Sequence, residues 1–156
     1  MHIKLLAMDV DGTMTDGKIY IGQYGEIMKA FNVKDGYGLS MLRKENIITA
    51  IITARHSKIV EERAKELSID EVCQGVKDKD TVLAELCKKY QISLDEVAYI
   101  GDDIGDIPAM RIAGVSMCPA DAVAEVKITA HMTMPSRGGE GAIRDAAEWI
   151  LSYNRN

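Results

Sequence analysis

Short apolar runs alternate along the chain with stretches whose apolar positions recur at helical spacing. The runs predict central strands over residues 3–9, 47–53, 71–74, 97–101 and 115–117, and the periodic stretches predict helices over 38–44, 57–67, 80–90, 104–113 and 142–152. Near-continuous apolar strands alternating with helices predict a parallel sheet covered on both faces. One insertion breaks the alternation. Lys18-Ile19-Tyr20-Ile21 and Glu26-Ile27-Met28-Lys29-Ala30-Phe31 flank Gly22-Gln23-Tyr24-Gly25, which reads as a β-hairpin over about residues 18–32. A lone hairpin is barely stable in water, so it should pack on something, copies of itself in an oligomer included. No linker, repeat or low-complexity segment appears, and a chain of 156 residues fits one domain, 1–156.

Composition narrows the partners. The apolar fraction of 47% is ordinary for a globular chain, and the net charge of -5 with no long basic run argues against nucleic acid. No apolar stretch approaches the ~20 residues of a membrane span. Met1-His2-Ile3-Lys4 leads straight into the first strand, so no signal peptide is expected. The three cysteines, Cys73, Cys87 and Cys118, are odd in number and far apart. They read as reduced thiols, which predicts a cytoplasmic protein.

The chemistry gathers where strands end. Asp9 and Asp11 close the first apolar run, and Gly12 follows at once. Residues two apart on a strand face the same way, so both carboxylates would stand at its C-terminal tip, the edge where open α/β sheets bind ligands. One can attack while the other handles a proton. Their mutual repulsion calls for a cation such as magnesium. Thr53 ends the run 47–52, Lys79 opens a helix, and Gly101-Asp102-Asp103-Ile104-Gly105-Asp106 closes the run 97–100. Singly these are a turn, a β-branched strand residue, a solvated lysine and a helix cap. Together they supply a carboxylate nucleophile, a hydroxyl, a cation and a second acidic cluster, the parts that phosphoryl transfer to water requires.

In this order the four pieces resemble the haloacid dehalogenase superfamily of phosphatases, with Asp-x-Asp-Gly-Thr as first motif and Gly-Asp-Asp with a further aspartate as fourth. The stretches 16–20, 31–38, 74–79 (Gln-Gly-Val-Lys-Asp-Lys) and 137–141 (Arg-Gly-Gly-Glu-Gly) are similar to the 3-deoxy-D-manno-octulosonate 8-phosphate phosphatases. The resemblance implies a Rossmann-like α/β sheet with a protruding hairpin and no inserted cap domain. It also implies a homotetramer joined through the hairpin, a neighbour covering each active site, and hydrolysis of a sugar-acid phosphate on the way to lipopolysaccharide. By the same resemblance Asp9 is the nucleophile and Asp11 the acid and base. Magnesium binds the Asp9 carboxylate, the Asp11 main-chain carbonyl and Asp102. Thr53 and Lys79 hold phosphoryl oxygens, and Asp106 orients Lys79 or metal-bound water. Asp103 either supports a metal ligand or caps the following helix.

Substrate choice is expected from other residues. Arg55, two positions beyond Thr53, can fork onto the carboxylate of a 2-keto acid. The resemblance implies an acidic residue here in enzymes for nine-carbon sialic-type acids, so Arg55 favours the eight-carbon substrate. Arg63, Lys34 and Asp35 are further candidates, the last two reaching a neighbour's site, with Asp35 as a helix cap the plainer alternative. Arg137 sits in a glycine-rich approach to the last helix, and His56 follows Arg55. Thr53-Ala54 departs from the commoner Thr-Gly. The rival activities are a nine-carbon 2-keto-3-deoxy sugar acid 9-phosphate phosphatase, a broad small-phosphate phosphatase and a non-catalytic tetramerisation domain.

Overall fold

β1 (Leu5–Met8) is buried along its whole length, as a strand covered on both faces must be. The computed structural model describes residues 2–156. After β1 come the hairpin β2 (Tyr20–Gly22) and β3 (Gly25–Met28), α1 (Val33–Lys44), β4 (Ile48–Ile52), α2 (Lys58–Leu67), β5 (Glu71–Cys73) and α3 (Lys79–Tyr90). The second half holds β6 (Val97–Ile100), α4 (Ile107–Ile112), β7 (Val115–Cys118), α5 (Ala124–Thr129), β8 (Met132–Thr133) and α6 (Ala142–Arg155). Six strands form one parallel sheet in the order β5-β4-β1-β6-β7-β8. The chain first steps outward from β1 to β4 and β5, then returns to β6 on the other side. The strand order therefore reverses at β1, the type of position where such sheets form their ligand crevice.

Period-2 alternation sorts the core into two layers. Leu6 and Met8 join Leu39 and Leu42 of α1, Val60 and Ala64 of α2, and the buried stripe of α6. Leu5 and Ala7 join Leu83 of α3, Met110 of α4 and Val126 of α5 on the opposite face. A large aliphatic side chain so buried contributes roughly 1.5–3 kcal/mol. In α6 the buried residues Ala142, Ile143, Ala146, Ala147, Ile150 and Leu151 repeat every helical turn, which fixes the face it lays on the sheet.

The predicted strands and hairpin stand close to their expected bounds. Three departures have physical causes. α1 begins at Val33 rather than at 38, because the Asn32 side chain accepts from the Lys34 N–H at 2.8 Å and starts the helix ahead of two glycines. Gly38 is tolerated because α6 approaches closely there: a Cβ would lie 3.1 Å from Arg144 Cα. The segment expected as one helix over 104–113 splits into a 3-10 turn (Ile104–Asp106) and α4, with Pro108 in the first turn of α4, where its missing N–H costs nothing. α5 and β8 were not expected, being too short to show a period. Among the described residues no helix is long and apolar enough to cross a membrane.

Candidate active site

Asp9 follows β1 directly, its N–H bonded to the Ile100 carbonyl of β6 at 3.1 Å. Lys79, the first residue of α3, donates from Nζ to Asp9 Oδ1 at 2.9 Å and to Asp106 Oδ1 at 2.7 Å. Both Asp9 and Lys79 are buried. The Tyr99 hydroxyl donates to the same Asp106 oxygen at 2.6 Å, while the N–H groups of Asp102 and Asp103 donate to Asp106 Oδ2 at 2.9 and 3.1 Å. Asp106 thus receives four donors and holds Lys79 from behind.

Carboxylate oxygens of Asp9, Asp102 and Asp106 lie within 4.8 Å of one another. Two of these acids, Asp9 and Asp106, share Lys79. Burial pushes Asp9 up and Asp106 adds to it, with Lys79 opposing. Burial, and then the Asp9 charge, raise Asp102 to about 8. Burial works against the Lys79 charge, but Asp9 and Asp106 outweigh it and raise its pKa. An Asp102 carboxyl raised to about 8 beside a raised Asp9 marks a site short of positive charge. An all-oxygen, hard donor set of this kind fits magnesium. Because protein donors saturate Asp106, Asp9 and Asp102 are the carboxylates left for an ion.

The expected metal set takes the main-chain carbonyl of Asp11 and leaves its carboxylate for proton transfer. The Asp11 carboxylate does not join the cluster, because Lys29 Nζ donates to its Oδ1 at 2.6 Å and Arg55 Nε stands 3.8 Å from its Oδ2. The main-chain carbonyl of Asp11 is the atom that the resemblance implies for an ion. Thr13 Oγ1 donates to Asp102 Oδ1 at 3.1 Å, bringing the first and last motifs together. Gly12 has φ +89°, and a Cβ there would lie 1.9 Å from Asp102 Oδ2. Thr53, buried just past β4, is pinned by its main chain: its N–H donates to Cys73 O at 2.9 Å and its carbonyl accepts from Val76 N at 3.0 Å. The glycine segment 138–141 packs on the loop after β1, with Gly139 N donating to Thr13 O at 3.3 Å.

The remaining candidates divide. Arg55 stands beside Asp11 with its side chain 51% exposed, open to a ligand. Asp103 accepts from Ile104 N at 2.8 Å and so takes the capping role. Asp35 is corrected: it is 3% exposed and turns to α6, accepting from Arg144 N at 3.0 Å, so no substrate reaches its carboxylate. Arg63 lies over the Phe31 ring at 5.4 Å and pairs with Glu66 at 2.9 Å, which ties it to its own helix and the chain before α1. Lys34 is exposed on the first turn of α1. Arg137 pairs with Asp121 at 3.7 Å and His56 with Glu61 at 3.5 Å. Sequence reasoning missed Lys29, Glu26, Ser57 and Tyr99. Charges inside a strand-forming run were the available signal for the first two.

The family model for haloacid dehalogenase-like hydrolases matches residues 71–144. The 3-deoxy-D-manno-octulosonate 8-phosphate phosphatase of Yersinia pestis is 45% identical over 150 residues, 96% of this chain and 80% of that protein. The Moraxella catarrhalis enzyme of the same name, solved with magnesium, phosphate and a KDO molecule, superposes with a TM-score of 0.96 at 44% identity, covering 99% of this chain and 89% of the other. A cobalt-bound deoxy-D-mannose-octulosonate 8-phosphate phosphatase from Haemophilus influenzae gives a TM-score of 0.96 at 36% identity, covering 99% and 90%.

Proposed function

Because the chain belongs to the 3-deoxy-D-manno-octulosonate 8-phosphate phosphatase family of haloacid dehalogenase-like hydrolases, we propose that it hydrolyses that phosphate monoester with magnesium as its cofactor. The observation that carries the reading is the buried Asp9 at the sheet's switch point, 2.9 Å from Lys79 and beside Asp102. Asp9 is the nucleophile: a carboxylate oxygen attacks phosphorus as the bond to the sugar oxygen breaks. Asp11 gives its proton to the departing alkoxide, then takes one from the water that cleaves the aspartyl-phosphate, so that free phosphate leaves and Asp9 is restored. Lys79 and Thr53 hold phosphoryl oxygens against their developing charge. Magnesium, held by the Asp9 and Asp102 carboxylates and the Asp11 carbonyl, would neutralise that charge further.

Arg55 reads the carboxylate of the sugar acid and favours the eight-carbon substrate. Its exposed guanidinium beside Asp11 supports this. The product feeds lipopolysaccharide assembly in the cytoplasm, and the free cysteines agree with a reducing setting. A single domain, 1–156, assembles as a homotetramer through the hairpin, where Ile21, Tyr24 and Ile27 are exposed.

Purified protein with magnesium should release phosphate from 3-deoxy-D-manno-octulosonate 8-phosphate, and Asp9→Asn should cut turnover at least about a thousandfold. Faster turnover of a nine-carbon 9-phosphate would overturn the role given to Arg55. Similar rates on unrelated sugar phosphates would favour a broad phosphatase. No phosphate release from any sugar-acid phosphate would leave a tetramerisation domain.

A further inference from the structure

Lys29 lies just past β3, on the hairpin, and its side chain is only 1% exposed. Its Nζ donates to Asp11 Oδ1 at 2.6 Å and stands 3.0 Å from Glu26 Oε2, an ion pair outside hydrogen-bond alignment. Glu26 is anchored in turn: its Oε1 accepts from the Ser57 hydroxyl at 2.7 Å, and Ser57 N–H donates to Gln74 Oε1 at 2.8 Å. Arg55 Nη2 closes the cluster 3.8 Å from Glu26 Oε2. A buried ammonium is costly unless carboxylates face it. Here two do, and one of them is the group that must move a proton. The two Asp11 oxygens are not equivalent. Oδ1 is held by Lys29, while Oδ2 has only the more distant Arg55 beside it.

We infer that Lys29 is a positioning residue for Asp11: it fixes Oδ1 so that Oδ2 alone gives and takes the proton, and Glu26 and Ser57 hold Lys29 in place. This deepens the phosphatase reading and rests on Asp11 being its proton donor. The hairpin is then more than an oligomer contact, because its inward edge sets the geometry of the acid.

Leaving-group chemistry tests this. A sugar alkoxide must be protonated as it leaves, whereas the p-nitrophenolate of p-nitrophenyl phosphate departs without help. Lys29→Met should lower kcat on 3-deoxy-D-manno-octulosonate 8-phosphate about a hundredfold with KM little changed, whereas the first-turnover burst of p-nitrophenolate from p-nitrophenyl phosphate, which needs no proton from Asp11, should slow less than about threefold. Lys29→Arg should recover turnover to within about tenfold, because a guanidinium can also hold Oδ1. Glu26→Gln keeps the lysine charge and loosens its seat. It should show the same selectivity on a smaller scale, which keeps the test open if Lys29→Met does not fold. Equal losses in kcat on the sugar phosphate and in the p-nitrophenolate burst, in either variant, overturn the inference and assign Lys29 to the fold or to the nucleophile. A rise in KM for the sugar acid with kcat unchanged overturns it in favour of substrate binding. If wild-type protein hydrolyses other sugar phosphates but not this one, the substrate assignment fails, and the Lys29 ratio is then read on the sugar phosphate it does turn over.

Discussion

No side chain fits at Gly12. Its φ of +89° is costly for any other residue, and a Cβ would overlap Asp102 Oδ2 at 1.9 Å. Gly12→Ala must therefore move Asp102, one of the two carboxylates free for an ion. Activity should fall about a hundredfold or more, and the magnesium concentration for half-maximal rate should rise, since displaced ligands and their supports typically lose 10–100-fold in metal affinity. A magnesium titration of phosphate release checks this, and an unchanged half-saturation point would sink the link to Asp102. Asp9, Asp11, Thr53, Lys79 and Asp102 were legible in the sequence because each stands at the edge of a strongly patterned element. Lys29 was not. Its partner Asp11 lies 18 residues earlier in the chain, and a lysine in an exposed-looking hairpin reads as a solvated charge. Tyr99 was hidden for the opposite reason: within the apolar run 97–100 it passes for core, yet its buried hydroxyl serves Asp106.

At the scale of elements, the seam between α1 and α6 carries a buried acid. The Asp35 carboxyl takes the Arg144 N–H in the first turn of α6, and its Oδ2 is buried without a partner among the described residues. Burial pushes its pKa up to about 6, with the charge of Asp145 adding and the α6 N–H groups opposing. For an acid raised by folding, the native state favours the neutral form. The contribution to stability is full below the unfolded value near 3.8 and is lost as pH rises toward about 6, after which it stays flat. Asp35→Asn keeps an acceptor for Arg144 and removes the charge. Its stability relative to wild type should improve between pH 4 and pH 8 by at most about 3 kcal/mol, at roughly 1.4 kcal/mol per unit. Guanidinium denaturation at the two pH values measures it, and a pH-independent difference would falsify the assignment. The same seam shows what the sequence concealed. Gly36 and Gly38 lower helix propensity, so the periodic signal surfaced only at residue 38, although Asn32 with Asp35 offered a start signal. α6 approaches α1 over Gly38, and Gly36 faces Leu67 and Arg63 of α2, tertiary requirements with no local trace. β1, β4 and β6 were plain in sequence because burial on both faces leaves them almost wholly apolar, with Thr49 a buried polar exception in β4.

At the scale of the molecule, the hairpin has two unlike edges. Inward, Glu26 and Lys29 reach Ser57 and Asp11. Outward, Ile21, Tyr24 and Ile27 stand exposed, Tyr24 at 96%. Two strands cannot hold themselves in water, and an apolar edge on a protruding element is the usual mark of a protein–protein contact. If copies meet there, Tyr24→Lys with Ile27→Lys should split the assembly into smaller species in sedimentation equilibrium, since like charges would face one another across the symmetric contact. The catalytic acids lie elsewhere and keep their partners. Turnover of small p-nitrophenyl phosphate should then change less than about threefold. The eight-carbon sugar acid should lose about tenfold or more in kcat/KM, because a neighbour no longer closes over the part of the substrate that lies beyond the phosphate. The two readouts separate distinct roles of the contact. A smaller species with full activity on both substrates would mean that each subunit holds a finished site. A wild-type protein that sediments as a monomer at micromolar concentration would sink the assembly altogether, leaving the apolar edge without a partner of its own kind.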